Sequence, residues 1–339
     1  MATIQDVARE AQVSVATVSR VLNNVSVVRK ETADRVREAI KRLSYAPNLA
    51  ARNLRRNESR VIMMLAPNFT NPYYSQILSG ICDTSRKLGY IMLVYNIYDT
   101  LTLKEQDLIE LIDINKVDGT ILLACNYDDN WLNKYKNEYP IVQCSEYALD
   151  SELAHISVNN YEAAYESVSY LINLGHQHIA FLGSENKFVS TRERFNGYKK
   201  ALADAGLPFK EAYAERGSVD YSFQSGRDAA LRLLSLHERP TAVFCVSDVL
   251  ALGVIAQARE MGIDVPSQLS VTGFDDVDYT TMFHPYLTTI STPCYDLGTK
   301  AMILLQQCMQ KQPDIEKRVI LPHKFTVRES CAEWEPHQD

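Results

Sequence analysis
The sequence predicts an α/β protein with a small all-helical head, and three observations carry that prediction. From Val61 onward, short apolar runs alternate with stretches of helical period, the pattern of parallel sheets covered on both faces. Before that point, apolar residues recur three and four apart, the period of an amphipathic helix. Charge divides at the same place: residues 1–60 hold 12 Lys and Arg against 6 Asp and Glu, a net +6, while the rest of the 339 residues hold 23 bases and 36 acids, a net −13. A cationic head on an anionic body confines any attraction to phosphates to one end of the chain.

In the head, Thr3 can cap a first helix through Ile4, Val7, Ala8 and Ala11, with Asp6 in the first turn where the helix dipole favours an acid. Ser14 can cap a second, Val15 to Asn23, with Val18, Val21 and Leu22 as its inward stripe. Two short helices across a tight turn form a helix-turn-helix, whose second helix enters the major groove of duplex DNA. A third helix, about Glu31 to Leu43, closes a small core with Ala33, Val36, Ile40 and Leu43. Outward on helix two stand Val15, Ala16, Thr17, Ser19 and Arg20. Val15 and Ala16 suit thymine methyls and Arg20 can fork onto guanine, while Thr17 and Ser19 suit phosphate oxygens. Pro47 ends helix three, and Asn48 can cap a further short helix crowded by Arg52, Arg55, Arg56 and Arg60. Such a helix is marginal alone in water and can fold on contact with DNA or a partner chain. Leu54 would project from it as a wedge for the minor groove.

In the body, strand-like runs are Val61 to Ala66, Ile91 to Tyr95, Gly119 to Ala124, Ile141 to Cys144, His178 to Gly183, Ala242 to Val246 and Leu269 to Phe274. Helical patterns between them cover Tyr74 to Leu88, Leu103 to Ile114, Tyr161 to Leu174, Arg192 to Ala205, Ser222 to Leu236 and Val249 to Met261. Such sheets bind ligands beyond the carboxyl ends of their strands. Phe69, Asn71, Tyr73 and Tyr74 follow the first run, Ser190, Arg192 and Arg194 the fifth, Ser247 and Asp248 the sixth, and Asp275 the seventh. Carboxylate, arginine and aromatic faces together suit a hydroxylated small molecule, a sugar or a nucleoside.

Composition and motifs exclude other classes. At 46% hydrophobic and 23% charged, the chain is neither disordered, collagen-like nor coiled-coil. The uncharged stretch Val61 to Cys82 is broken by Pro67, Asn68, Asn71 and Pro72, so no membrane span is expected. The start lacks a basic segment followed by an apolar one, which points to a cytoplasmic protein. Seven scattered cysteines without Cys-x-x-Cys fit reduced thiols, and neither a metal nor a cofactor is expected. His176-Gln-His178 has no third ligand in view and is read as a structural loop. No dinucleotide-binding, P-loop, nucleophile-elbow or zinc-protease motif occurs, which argues against an enzyme.

Three segments carry a family resemblance: Thr3-Ile-Gln-Asp-Val-Ala-Arg-Glu-Ala, Val13-Ser-Val-Ala-Thr-Val-Ser-Arg-Val-Leu-Asn, and Tyr45-Ala-Pro-Asn-Leu-Ala-Ala-Arg-Asn-Leu. They resemble the LacI/GalR family of bacterial repressors, through nearly the whole chain. The resemblance implies a head at 1–46, a hinge helix and linker at 47–60, and a two-lobed periplasmic-binding-protein-like core at 61–339. Lobe one would span about 61–159 plus 292–322, and lobe two about 160–291 plus 323–332. It puts Val15, Ala16 and Arg20 at base-reading positions and Leu54 at the operator centre, with Asn48 and Arg55 also against DNA. Ser190-Thr-Arg-Glu-Arg-Phe-Asn-Gly197 and Gly273-Phe-Asp-Asp276 resemble the family's effector segments, placing Arg194 and Asp275 on the ligand, with Tyr73, Ser190, Arg192, Tyr221 and Ser247 around them. Ser145 stands where several members carry an Asp contact, with Glu146 a possible substitute. Gln12 stands where many such turns carry a left-handed Gly, at a cost of about 1 kcal/mol. The expected partners are a pseudo-palindromic double-stranded DNA operator, a second copy of the chain, and a small sugar-like effector. A nucleoside or purine effector, or a protein co-regulator, is the alternative, since the chain also resembles the catabolite-control and cytidine-repressor branches. A two-lobed solute-binding protein shares the core, but it would need an export signal and would have no basic helical head.

Overall fold
The computed structural model describes residues 2–22, 28–45, 58–67, 69–97, 104–126 and 128–334. These fall into two compact units, Met1–Ser59 and Arg60–Asp339.

The first unit holds α1 (Ile4–Glu10), α2 (Val15–Leu22) and α3 (Lys30–Arg42). Thr3 caps α1 in a reciprocal box with Asp6, which satisfies amides that a helix start leaves unpaired. The Ser14 hydroxyl accepts from the Thr17 amide at 3.2 Å and so caps α2. Between them Gln12 takes φ +53°, the left-handed turn conformation anticipated from its place in the motif. Val7, Val18 and Val36 are wholly buried at the centre, with Ala8, Ala11, Val21, Ala33 and Ala39 around them. Each buried valine contributes roughly 1.5–3 kcal/mol, a large share of what so small a core can supply. Ala39, rather than Ile40 or Leu43, completes the fully buried face of α3.

The second unit holds two six-stranded sheets. The first orders β11-β5-β4-β3-β1-β2, from Val61–Ala66 (β1), Ile91–Asn96 (β2), Gly119–Leu122 (β3), Ile141–Cys144 (β4), Ala154–Val158 (β5) and Arg318–Leu321 (β11), all parallel. The second orders β12-β10-β9-β8-β6-β7, from Ile179–Ser184 (β6), Ala214–Gly217 (β7), Ala242–Cys245 (β8), Ser270–Asp275 (β9), Thr288–Ser291 (β10) and Lys324–Thr326 (β12). It is parallel except where β12 returns antiparallel to β10. Helices α4 (Pro72–Lys87), α5 (Glu105–Asn115) and α10 (Cys294–Met309) belong with the first sheet. Helices α6 (Asn160–Asn173), α7 (Val189–Asp204), α8 (Phe223–Leu234) and α9 (Asp248–Glu260) belong with the second. The chain passes between the two lobes near residues 159, 292 and 322.

Alternation along β1 shows how each sheet is covered on two faces. Ile62 and Met64 pack with Ile77, Ile81, Leu297 and Ala301, while Met63 and Leu65 pack with Leu108 and Ile112. Helices α4 and α10 meet backbone to backbone: a Cβ on Gly80 would lie 2.1 Å from the Tyr295 carbonyl oxygen, and one on Gly298 would lie 2.1 Å from that of Ile77. The edge strand β2 departs from the fully covered pattern expected of parallel strands, because Ile91, Leu93, Val94 and Tyr95 are exposed. Among the described residues, no helix is long and apolar enough to cross a membrane.

Candidate functional site
In the head, α2 turns Val18 and Val21 inward, and its helical period leaves the other side outward. Ala16 and Arg20 are exposed, while Val15, Thr17 and Ser19 are half-buried. The Thr17 hydroxyl lies 2.9 Å from that of Ser14, so the cap and the phosphate-facing candidate are the same turn. Asn48, Leu54 and Arg55 lie outside the described residues.

In the core, strand ends and helix starts from the two lobes converge on one small cavity. It is lined by Asn71, Tyr73, Tyr74 and Glu146 from lobe one and by Ser190, Arg194, Tyr221, Val246, Ser247 and Asp275 from lobe two. Tyr73, Ser190, Arg194, Tyr221, Ser247 and Asp275 are thus brought together. Arg192 is not: its guanidinium lies along Glu193 at 2.9 Å and is 40% exposed. Ser190 and Arg194 are four apart on α7 and share a face, and Arg192 points away from it. Asn71 caps α4 through the Tyr73 amide at 3.0 Å. Asn71 and Tyr74, which follow the first strand-like run in the sequence, line the cavity as well, and Val246, the last residue of the sixth run, is a lining residue that the sequence did not single out.

Arg194 is held on three sides. Its Nε donates to the Asn160 side chain at 2.9 Å, one Nη donates to the Val246 carbonyl, and the guanidinium lies over the Phe274 ring at 3.4 Å. The other Nη faces Asp275 Oδ1 at 3.8 Å, too long for a hydrogen bond. That oxygen is buried without a hydrogen-bond partner among the described residues. Burial pushes the Asp275 acid up to about 7; Arg194 opposes the rise and Glu146 adds to it. Asp275 also holds φ +112°, and Ser145 (φ +73°) and Tyr221 (φ +55°) are left-handed beside it. Such backbone costs of order 1–3 kcal/mol each and clusters where side chains must be aimed.

From lobe one, Tyr73 hydroxyl and Ser145 hydroxyl are 2.5 Å apart. Glu146, 4% exposed, accepts from the Ser190 amide at 3.1 Å and from its hydroxyl at 2.5 Å, on the far side of the cleft. Burial raises Glu146 to about 7, against the lowering effect of the Ser190 bonds. The Tyr221 hydroxyl, 2.7 Å from that of Thr191, is pushed up to about 12 by burial. A nearby ion pair, Lys187 to Asp128 at 3.1 Å, also links the lobes but is exposed. The cavity measures about 20 Å³, room for roughly one water, whereas pockets for drug-sized ligands are roughly 300–1,000 Å³. The lobes are closed on their own side chains.

A basic helix-turn-helix head followed by a two-lobed binding core defines the class of ligand-responsive DNA-binding regulators. Residues 3–48 match the model of bacterial regulatory proteins of the lacI family, and residues 168–331 match the periplasmic binding protein-like domain. The chain belongs to the LacI family and is a DNA-binding transcriptional regulator. It is 38% identical over 312 residues to the transcriptional repressor CytR of Escherichia coli K12, covering 92% of this chain and 91% of that protein. It is 36% identical over 330 residues to catabolite control protein A of Priestia megaterium, covering 97% and 98%. Among solved structures, the lac repressor dimer bound to operator and the anti-inducer ONPF superposes with a TM-score of 0.87 at 27% identity, covering 98% of this chain and 99% of that one. The CelR-cellobiose complex gives 0.73 at 26%, covering 97% and 100%. CytR and catabolite control protein A both carry the names of regulators.

Proposed function
We propose that this protein represses transcription from a pseudo-palindromic operator, bound by two copies of the chain, and that an uncharged polyhydroxy effector in the cleft alters that binding. The observation that carries the effector half is the buried, unpartnered Asp275 Oδ1 facing Arg194 across 3.8 Å. With the lobes parted, a vicinal diol can bridge such a pair, donating to the carboxylate and accepting from the guanidinium, while Tyr73, Tyr74 and Tyr221 cover its apolar face. The bound cellobiose of one structural neighbour and the bound ribose of another support a sugar; the likeness to CytR supports a nucleoside as the second choice.

On the DNA side, Val15, Ala16 and Arg20 would read bases, Thr17 and Ser19 would set register on phosphates, and Leu54, Asn48 and Arg55 would act in the hinge. Two heads on one palindrome multiply a modest affinity. Such a regulator works where the chromosome is, in the cytoplasm. Selection of binding sites from random duplexes, with and without a panel of sugars and nucleosides, tests both halves. An inverted repeat should emerge, and one ligand class should shift the bound fraction. Arg20→Ala should relax preference at one symmetric position at a cost of about 1–3 kcal/mol per half-site. Unchanged preference would remove Arg20 from base reading.

A further inference from the structure
The N-terminus of α7 opens into the cleft without a side-chain cap of its own, since Phe188 occupies the cap position. The partner its amides find comes from the other lobe: Glu146 accepts from the Ser190 amide and hydroxyl with its two oxygens separately. A helix N-terminus with a serine hydroxyl beside it is the arrangement by which proteins seat phosphate and carboxylate groups. Here that seat is filled by the chain itself, and it opens onto the same cavity as the unpartnered Asp275 oxygen.

We propose that Glu146 sets ligand class: its carboxylate occupies the anion seat on α7, so the cleft admits an uncharged polyhydroxy ligand and excludes its phosphorylated counterpart. The inference rests on the cleft being the effector site and deepens that reading. Charge works in the same direction. The lining residues carry two acids, Glu146 and Asp275, against one base, Arg194. With both acids ionised, an incoming phosphate meets a lining with two acids against one base, and to reach the helix N-terminus it must also displace the carboxylate that already holds the Ser190 amide and hydroxyl. Any ligand must part the lobes, since the cavity has room for about one water, but a neutral diol has its partners in Asp275 and Arg194 and so leaves the Ser190 amide and hydroxyl for Glu146 to regain. The exposed Lys187–Asp128 pair also links the lobes but lines no part of the cavity, so it has no share in this selection.

The test uses the full chain at pH 8, above the value of about 7 at which Glu146 titrates. Melting curves and calorimetric titrations compare ribose with ribose 5-phosphate, glucose with glucose 6-phosphate, cytidine with cytidine 5′-monophosphate, and inorganic phosphate with chloride at matched ionic strength. The wild type should respond to no phosphorylated member and not to inorganic phosphate. Glu146→Ala, which empties the seat, should gain at least about tenfold in affinity for inorganic phosphate or a phosphorylated member. Glu146→Gln, which keeps the shape and removes the charge, should show the same gain more weakly and serves if the alanine variant does not fold. The proposal is overturned if the wild type binds a phosphorylated member as tightly as its neutral twin, or if folded variants stay indifferent to every phosphate. If no neutral ligand binds the wild type but the variants gain phosphate, the role of Glu146 stands and the effector reading fails.

Discussion

The two lobes of the core share one scaffold and divide the chemistry unequally. Each is a six-stranded sheet with helices on its faces, and each carries a helix pair packed through glycines: Gly80 with Gly298 in lobe one, Gly226 with Gly253 in lobe two. Yet lobe two alone supplies the guanidinium, the orphan carboxylate and the strained backbone at Asp275, while lobe one supplies aromatic surface and the single acid that reaches across. Scaffold is set by packing and can be the same twice; ligand chemistry depends on a few residues beyond strand ends and need not be.

The largest expected effect separates those contributions. Asp275→Ala should weaken ligand binding by about a hundredfold or more, since hydrogen bonds to a charged group are each worth about 1.5–3 kcal/mol, with operator binding in ligand-free protein near normal. Tyr73→Phe should cost less, and equal losses in a calorimetric titration would mean that lobe one shares the polar recognition. The scaffold half breaks next. Gly298→Ala drives a Cβ to 2.1 Å from the Ile77 carbonyl, and Gly253→Ala drives one to 2.5 Å from that of Phe223. Each should destabilise by about 1–3 kcal/mol or more, seen as lower melting temperatures; a neutral result in one lobe would end the equivalence of the two crossings.

Acid and base titration sharpens the comparison further. Glu146 and Asp275 both titrate near 7 in the folded core, above the 4.5 and 3.8 of exposed groups. The folded state therefore binds more protons than the unfolded chain between those values. The stability these groups contribute falls as pH rises through that window and levels off above about 7. Relative to Asp275→Asn, the wild type should lose melting temperature between about pH 5 and pH 8, and parallel curves would refute the raised value. The smallest effect belongs to the exposed Lys187–Asp128 pair. Lys187→Ala should change stability by no more than about 1 kcal/mol and leave ligand selectivity alone.

What the sequence made legible follows from how each element signals itself. Strands buried on both faces are runs such as Val61–Ala66, and the helices before and after them carry caps and period, so α/β architecture could be read directly. Strands built of AHISV, AERG or TTIS carry no such run and were not legible, because neighbours rather than their own composition make them strands. Helix α10 was missed despite apolar content, since its first half lacks a side-chain cap and follows Pro293. In the site, Arg194 and Asp275 were legible through the motifs around them. Choosing Arg194 over Arg192 needed only the helical period, applied from Ser190. The Glu146 to Ser190 contact spans 44 residues and two lobes, and no local pattern announces it.

The chain runs between the lobes three times, near residues 159, 292 and 322, each passage only a few residues long. Short tethers placed side by side resist separation far more than they resist rotation. On the effector reading proposed above, occupancy of the cleft would therefore be converted into an angle, a quantity that a lever of protein can carry to a distant end without either lobe having to deform.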